Sequence, residues 1–130
     1  MKQTLKKHER LKSYIRIREL FEKGEKFRAG SFLVYFISRE VNSPELQMGV
    51  SVGSRYFKKA VDRNLLKRRT REAYRLQKQG LIEAVEKSKK GMDVFFVFVH
   101  QEMQQYEEVF KDMKQAIDQL IKKIEHGTSR

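Results

Sequence analysis

The chain has 130 residues, enough for one domain with a single modest core. Its hydrophobic content of 39%, with nine Phe and five Tyr, argues against disorder even though 35% of the residues are charged. Cysteine is absent, which excludes a disulfide framework and a thiolate metal site, and 29 Lys and Arg against 17 Asp and Glu leave a net charge of +12. A surplus of that size points to a polyanionic partner, either nucleic acid or an anionic membrane surface.

Taken in chain order, the basic start "MKQTLKKHERLKSY" has no apolar segment behind it and is not read as a secretory signal. Ser13 is placed to cap a helix that carries Tyr14, Ile17, Leu20 and Phe21 on one side and stops at Gly24. The run "SFLVYFIS" (31–38) is β-branched and aromatic on both faces, hence a strand covered at least partly on each side. A polar turn around Pro44, the only proline, leads to "LQMGVSVG" (46–53). There Leu46, Met48, Val50 and Val52 point one way and Gln47, Gly49, Ser51 and Gly53 the other. A helical pattern runs from about Lys58 to Gln77, and "LIEAVEKS" (81–88) reads as a short helix after Gly80. "MDVFFVFV" (92–99) suits a central strand buried on both faces and is far too short to span a bilayer. Tyr106, Val109, Phe110, Met113, Ile117, Leu120, Ile121 and Ile124 follow the spacing of a long amphipathic helix. No repeat or low-complexity linker interrupts the pattern. The expectation is a single α+β domain over 1–130, with a small sheet, packed helices and flexible tails at 1–10 and 126–130. A soluble, cytoplasmic protein is expected.

Between Arg55 and Arg75 stand nine basic residues and two acidic ones, Asp62 and Glu72. On a wheel of about 100° per residue, Arg63, Lys67, Arg71, Asn64, Arg75 and Arg68 fall in one arc of roughly 140°. Leu65, Leu66, Ala73 and Leu76 fall together elsewhere, and Arg69 lands among them, where it would have to snorkel. Glu72 is positioned to pair with Arg68 one turn earlier. Clustering like charges on one face costs stability, so a helix that does so is better explained by a phosphate partner than by solvation alone. The planar fork of arginine suits phosphate oxygens. The Asn64 amide can reach a phosphate, a base edge or a metal-bound water.

The small residues Gly49, Ser51 and Gly53 suggest a trough on one side of their strand, flanked by Leu33, Tyr35 and Phe21. Such a trough can take an extended single strand, with rings to stack bases. Phe32, Val34 and Phe36 are expected simply to pack under the first helix.

The stretch "AVDRNLLKRRTREAYR" resembles the signature of the bacterial ribonuclease P protein subunit, through Ala60-Val61, Arg63-Asn64, Lys67-Arg68 and Arg71-Glu72. "GVSVG" (49–53) and "RLKSYIRIRELFEKG" resemble further family segments, and the order of elements matches along nearly the whole chain. The resemblance implies a small basic subunit that joins a catalytic RNA and removes the 5′ leader of precursor transfer RNA, with the active site and its magnesium ions (Mg2+) carried mainly by the RNA. It implies a leader cleft at Ile17, Phe21, Leu33 and Tyr35, and a basic helix, Arg63, Asn64, Lys67, Arg68, Arg71 and Arg75, that faces the catalytic RNA. Loop contacts from Arg55, Lys58 and Lys59 would add to these. A fold like a ribosomal-protein α/β domain, with a left-handed β-α-β crossover, is implied as well.

Two departures stand out. The segment Gly53-Ser54-Arg55-Tyr56-Phe57-Lys58-Lys59 is a residue longer than the family's Ser-Lys-Lys stretch and lacks its glycine. Ile17 stands where the family often has an aromatic, so contact there is apolar without stacking. His8, His100 and His126 are scattered, and no Asp/Glu cluster suggests a two-metal nuclease site, so no nucleophile or general base is assigned to the protein. No membrane, obligate protein partner or organic cofactor is expected. The rival reading is a ribosomal or other structural RNA-binding protein.

Overall fold

The computed structural model describes residues 7–41 and 44–126. A 3-10 turn at Lys7–Glu9 precedes α1 (Tyr14–Lys23), β1 (Glu25–Ala29), β2 (Phe32–Arg39), β3 (Leu46–Val52), α2 (Ala60–Gln77), α3 (Gln79–Ser88), β4 (Gly91–Phe98) and α4 (Tyr106–Glu125). The four strands form one sheet in the order β1-β2-β4-β3. β1 pairs antiparallel with β2 and β2 with β4, whereas β3 and β4 run parallel. Parallel neighbours need a crossover, and α2 and α3 supply it. The expected α+β architecture is therefore present, with one strand more than the sequence pattern gave.

That extra strand is β1, "EKFRA". It has only Phe27 and Ala29 as apolar residues and lies at the sheet edge, where charged side chains are tolerated and the alternation is weak. It meets β2 through Gly30, whose φ of +56° only glycine adopts easily. The Asp112 carboxylate holds the turn by accepting from the Ser31 N–H at 2.9 Å and hydroxyl at 2.8 Å.

The sheet separates two cores. On one face Phe32, Val34, Phe36, Met48, Val94 and Phe96 are buried with Leu66, Ala73 and Tyr74 of α2, Leu81 and Val85 of α3, and Val109, Met113, Ile117 and Leu120 of α4. Phe32, Val34 and Phe36 thus pack under α4 and α2, not under the first helix as expected. A strand apolar on both faces carries no signal of which helix takes which face. The other face holds a smaller cluster of Leu11, Leu20 and Phe95, with Ile17, Tyr35 and Ile37 against it. β4 is buried on both sides, as its continuous apolar run predicts.

Residues 7–10, expected within a flexible tail, belong to the fold. Arg10 bridges Met48 in parallel, the Leu11 N–H donates to the Met48 carbonyl at 2.8 Å, and Lys78 Nζ donates to both Glu9 oxygens at 2.9 Å. His126 still closes α4, its N–H reaching the Lys122 carbonyl. Residues 1–6 and 127–130 of the expected tails lie outside the described residues.

Candidate nucleic-acid interface

Helix α1 forms one wall of a groove on the smaller core's face. Ser13 caps it, accepting the Arg16 N–H at 3.3 Å, and Gly24 ends it against the Leu20 carbonyl. A Cβ at Gly24 would stand 2.6 Å from that carbonyl oxygen and 2.9 Å from the one of Phe36, so only glycine lets the chain turn straight into β1. Leu20 is fully buried, while Phe21 lies edge-on to Tyr35 at 4.6 Å and tilted over Phe95 at 5.1 Å. The next row of the sheet, Leu33, Val97 and Ser51, is only half buried. Lys26 and Arg28, paired with Tyr35 and Leu33, add cations on the β1 side, and Lys26 Nζ sits 5.8 Å from the Tyr35 ring centre. The groove therefore has an apolar, ring-bearing floor and a basic edge. Ile17, Phe21, Leu33 and Tyr35, the four residues expected to line a cleft, all belong to this face.

The trough expected at Gly49 is not open. A Cβ there would meet the Phe95 ring at 2.8–2.9 Å, so Gly49 makes room for that ring and not for a ligand. At Gly53 a Cβ would meet nothing within 4 Å, which places the open part of the small-residue line toward the end of β3.

Helix α2 is rotated from the orientation its leucines suggest. Its buried side chains are Leu66, Thr70, Ala73 and Tyr74, whereas Leu65 is half buried and Leu76 and Val61 are exposed. Thr70 tolerates burial because its hydroxyl donates to the Leu66 carbonyl at 2.8 Å. The cations divide accordingly. Arg63 folds back to donate to the carbonyls of Phe57 and Lys58 at 2.8 and 2.9 Å. Arg69 does not snorkel; it donates to the Gln104 carbonyl and ties α2 to the segment before α4. Glu72 pairs with Arg75 and not with Arg68, Arg75 Nε donating to it at 3.1 Å. That bond holds the Glu72 carboxyl below its ordinary range and raises the arginine. Lys67, Arg68 and Arg71 have no carboxylate partner among the described residues, and Asn64 and Arg68 are exposed. Burial lowers the Arg71 pKa, and so does the like charge of Arg10 on the neighbouring N-terminal segment. Arg55, Lys58 and Lys59 are exposed on the loop ahead of the helix.

Asp93 was not singled out by sequence reasoning. It is 1% exposed in the middle of the sheet, where Arg16 Nε donates to it at 3.1 Å and Arg39 Nε at 3.2 Å. An aspartate inside "MDVFFVFV" is the available signal, since a carboxylate there must find cations. Through it α1 is pinned to the sheet centre. Among the described residues no three His, Asp or Glu side chains are grouped to hold a metal, and no helix is long and apolar enough to cross a membrane.

The family model described as Ribonuclease P matches residues 5–125 of this chain. The chain belongs to the ribonuclease P protein family. Among similar proteins, the ribonuclease P protein component of Porphyromonas gingivalis is 32% identical over 114 residues, covering 87% of this chain and 83% of the relative. That of Clostridioides difficile is 32% identical over 108 residues, covering 83% and 84%. The fold is shared with the ribonuclease P proteins of Staphylococcus aureus (TM-score 0.64, 21% identity, 86% of this chain and 94% of that one) and Thermotoga maritima (0.62, 24%, 88% and 96%). Membership makes the chain the protein component of ribonuclease P, an endoribonuclease of transfer RNA processing in which it partners the ribonuclease P RNA. In this ribonuclease P protein the residues read from sequence form two groups: the groove beside α1, and the flank of α2 bearing Lys67, Arg68 and Arg71.

Proposed function

We propose that this chain binds RNA at both places: the groove holds the 5′ leader of precursor transfer RNA, and the basic flank of α2 faces the catalytic RNA. The carrying observation is the groove itself, in which the rings of Phe21 and Tyr35, backed by the buried Phe95, sit beside the half-buried row of Leu33, Val97 and Ser51, edged by Lys26 and Arg28. Rings stack on bases of any sequence, and cations track a backbone. A substrate gripped through its leader meets the catalytic RNA already oriented, which lowers the entropic part of the barrier. Lys67, Arg68 and Arg71, free of carboxylate partners among the described residues, are the groups that neutralise phosphates as two RNAs approach.

Bond cleavage is assigned to the RNA. In this reading the magnesium belongs with the RNA subunit; among the described residues no three His, Asp or Glu side chains are grouped. Arg63 and Arg75, read from sequence as direct RNA contacts, first serve the loop before α2 and the Glu72 carboxylate. We keep them at the edge of the interface. Family membership favours this reading over that of a ribosomal protein, which has the same charge and fold class.

Tyr35→Ala tests the leader half. In the reconstituted holoenzyme it should weaken binding of leader-bearing precursor by about 1–3 kcal/mol, the range for one base–aromatic stack, with mature transfer RNA unaffected. Equal losses for both substrates would place Tyr35 outside the leader site.

A further inference from the structure

A second pocket opens at the end of the sheet where β3 and β4 finish. It encloses about 320 Å³ and is lined by Arg28, Tyr56, Val99, His100, Gln101 and Glu102. Two of these residues tie it to the groove. Arg28 is the cross-strand partner of Leu33, on the groove's open row. Val99 extends the ladder past Val97, its N–H donating to the Ser31 carbonyl at 2.8 Å. A chain leaving the row of Leu33, Val97 and Ser51 toward that end of the sheet arrives here.

Packing and hydrogen bonds hold the lining in place. Arg28 Nε donates to the Gly30 carbonyl at 2.8 Å, which fixes the guanidinium at the β1–β2 turn. Phe57 is buried against Phe98 with ring centres 5.9 Å apart, anchoring the loop so that its neighbour Tyr56 stands 47% exposed. The Arg55 guanidinium lies 5.3 Å from the Tyr56 ring centre. The Glu102 N–H donates to His100 Nδ1 at 3.0 Å. Nδ1 also lies 3.2 Å from both the Glu102 carbonyl and Gln104 Nε2, and Nε2 lies 3.4 Å from the same amide, so the tautomer sets which ring nitrogen donates.

We propose that this pocket binds a nucleobase of the 5′ leader, one that lies beyond the nucleotides in the groove; the proposal rests on the leader reading above. A ring face at Tyr56 offers stacking. The Glu102 carboxylate accepts hydrogen bonds from an exocyclic amino group and repels a phosphate, while the Arg28 guanidinium donates to ring nitrogens and carbonyl oxygens and the His100 ring offers one donor and one acceptor. A carboxylate beside an aromatic ring suits a base, whereas the carboxylate-free flank of α2 suits a backbone.

The test uses holoenzyme reconstituted with the ribonuclease P RNA and precursor transfer RNAs whose leaders grow one nucleotide at a time. Wild-type protein should gain affinity until the leader reaches the pocket and then level off. Tyr56→Ala should lose the last gain, about 5- to 150-fold, and match wild type on shorter leaders; Tyr56→Phe should keep it. An abasic nucleotide at that last step should cost wild-type protein the same factor, an arm independent of any variant's folding. The inference is overturned if Tyr56→Ala follows the wild-type profile at every length, or if the abasic leader binds like the intact one. A wild-type profile indifferent to leader length would instead sink the leader reading itself.

Discussion

Arg68 and Arg75 lie two turns apart on α2 and carry the same charge, yet they are not equivalent. Arg75 is bonded to Glu72; Arg68 is exposed and without a carboxylate among the described residues. On the proposed reading, removing Arg68 subtracts a phosphate contact, whereas removing Arg75 mainly releases an anion. Arg68→Ala should flatten the log–log salt dependence of holoenzyme binding by about one unit and depress activity most at low magnesium, with the circular dichroism spectrum retained. Arg75→Ala should change the slope less. The reverse order, or a collapse of the spectrum in Arg68→Ala, would assign Arg68 to the internal network. The charge of the helix was legible in the sequence here. The choice of partner was not, because Glu72 has an arginine at both i−4 and i+3 and either geometry is available to a helix. The Gly49 trough failed for a related reason, since a glycine's vacancy has the same sequence signature whether a ligand or a neighbouring ring fills it.

At the scale of elements, the groove's width depends on how α1 is seated. Leu20 is its buried anchor and Arg16 its polar one. Asp93 accepts from both Arg16 and Arg39, while Arg39 Nη2 comes no nearer than 3.9 Å to Glu45 and makes no hydrogen bond. Asp93→Ala leaves two guanidiniums facing one another without their shared anion. Cutting a fully buried pair costs about 3–5 kcal/mol, and because both arginines keep some solvent contact a loss of about 2–3 kcal/mol is expected. Urea denaturation should register it as a lower midpoint. A loss within about 0.5 kcal/mol, the scale of an ordinary surface substitution, would show that α1 is seated by its apolar face alone. The elements themselves were largely readable: the Ser13 cap, the alternation of β3, the buried run of β4 and the stripe of α4 all appear where the pattern places them. What escaped depends on distant pairing. β1 is an edge strand with too few apolar residues to announce itself, and the rotation of α2 buries Leu66, Thr70, Ala73 and Tyr74, with the Tyr74 ring centre 5.8 Å from that of Phe96 in the sheet. Leucine positions alone could not reveal it.

For the molecule as a whole, a surplus of twelve positive charges is distributed over a small domain that uses both faces of one sheet. One face is closed by α2, α3 and α4 and supplies stability. The other is only partly covered by α1, and the uncovered part is the groove. α2 follows the edge strand β3 after the loop 53–59, and its Arg71 stands near enough to the N-terminal Arg10 for their like charges to interact. On the proposed reading two RNA strands are held at once by different side chains, and that separation is its central claim. Site-specific photocrosslinking in the assembled holoenzyme with leader-bearing substrate examines it most directly. A photoreactive residue at position 33 should capture the substrate leader and one at position 68 the ribonuclease P RNA. Capture of the same RNA from both positions, or of the leader from position 68 alone, would contradict the assignment of the two surfaces.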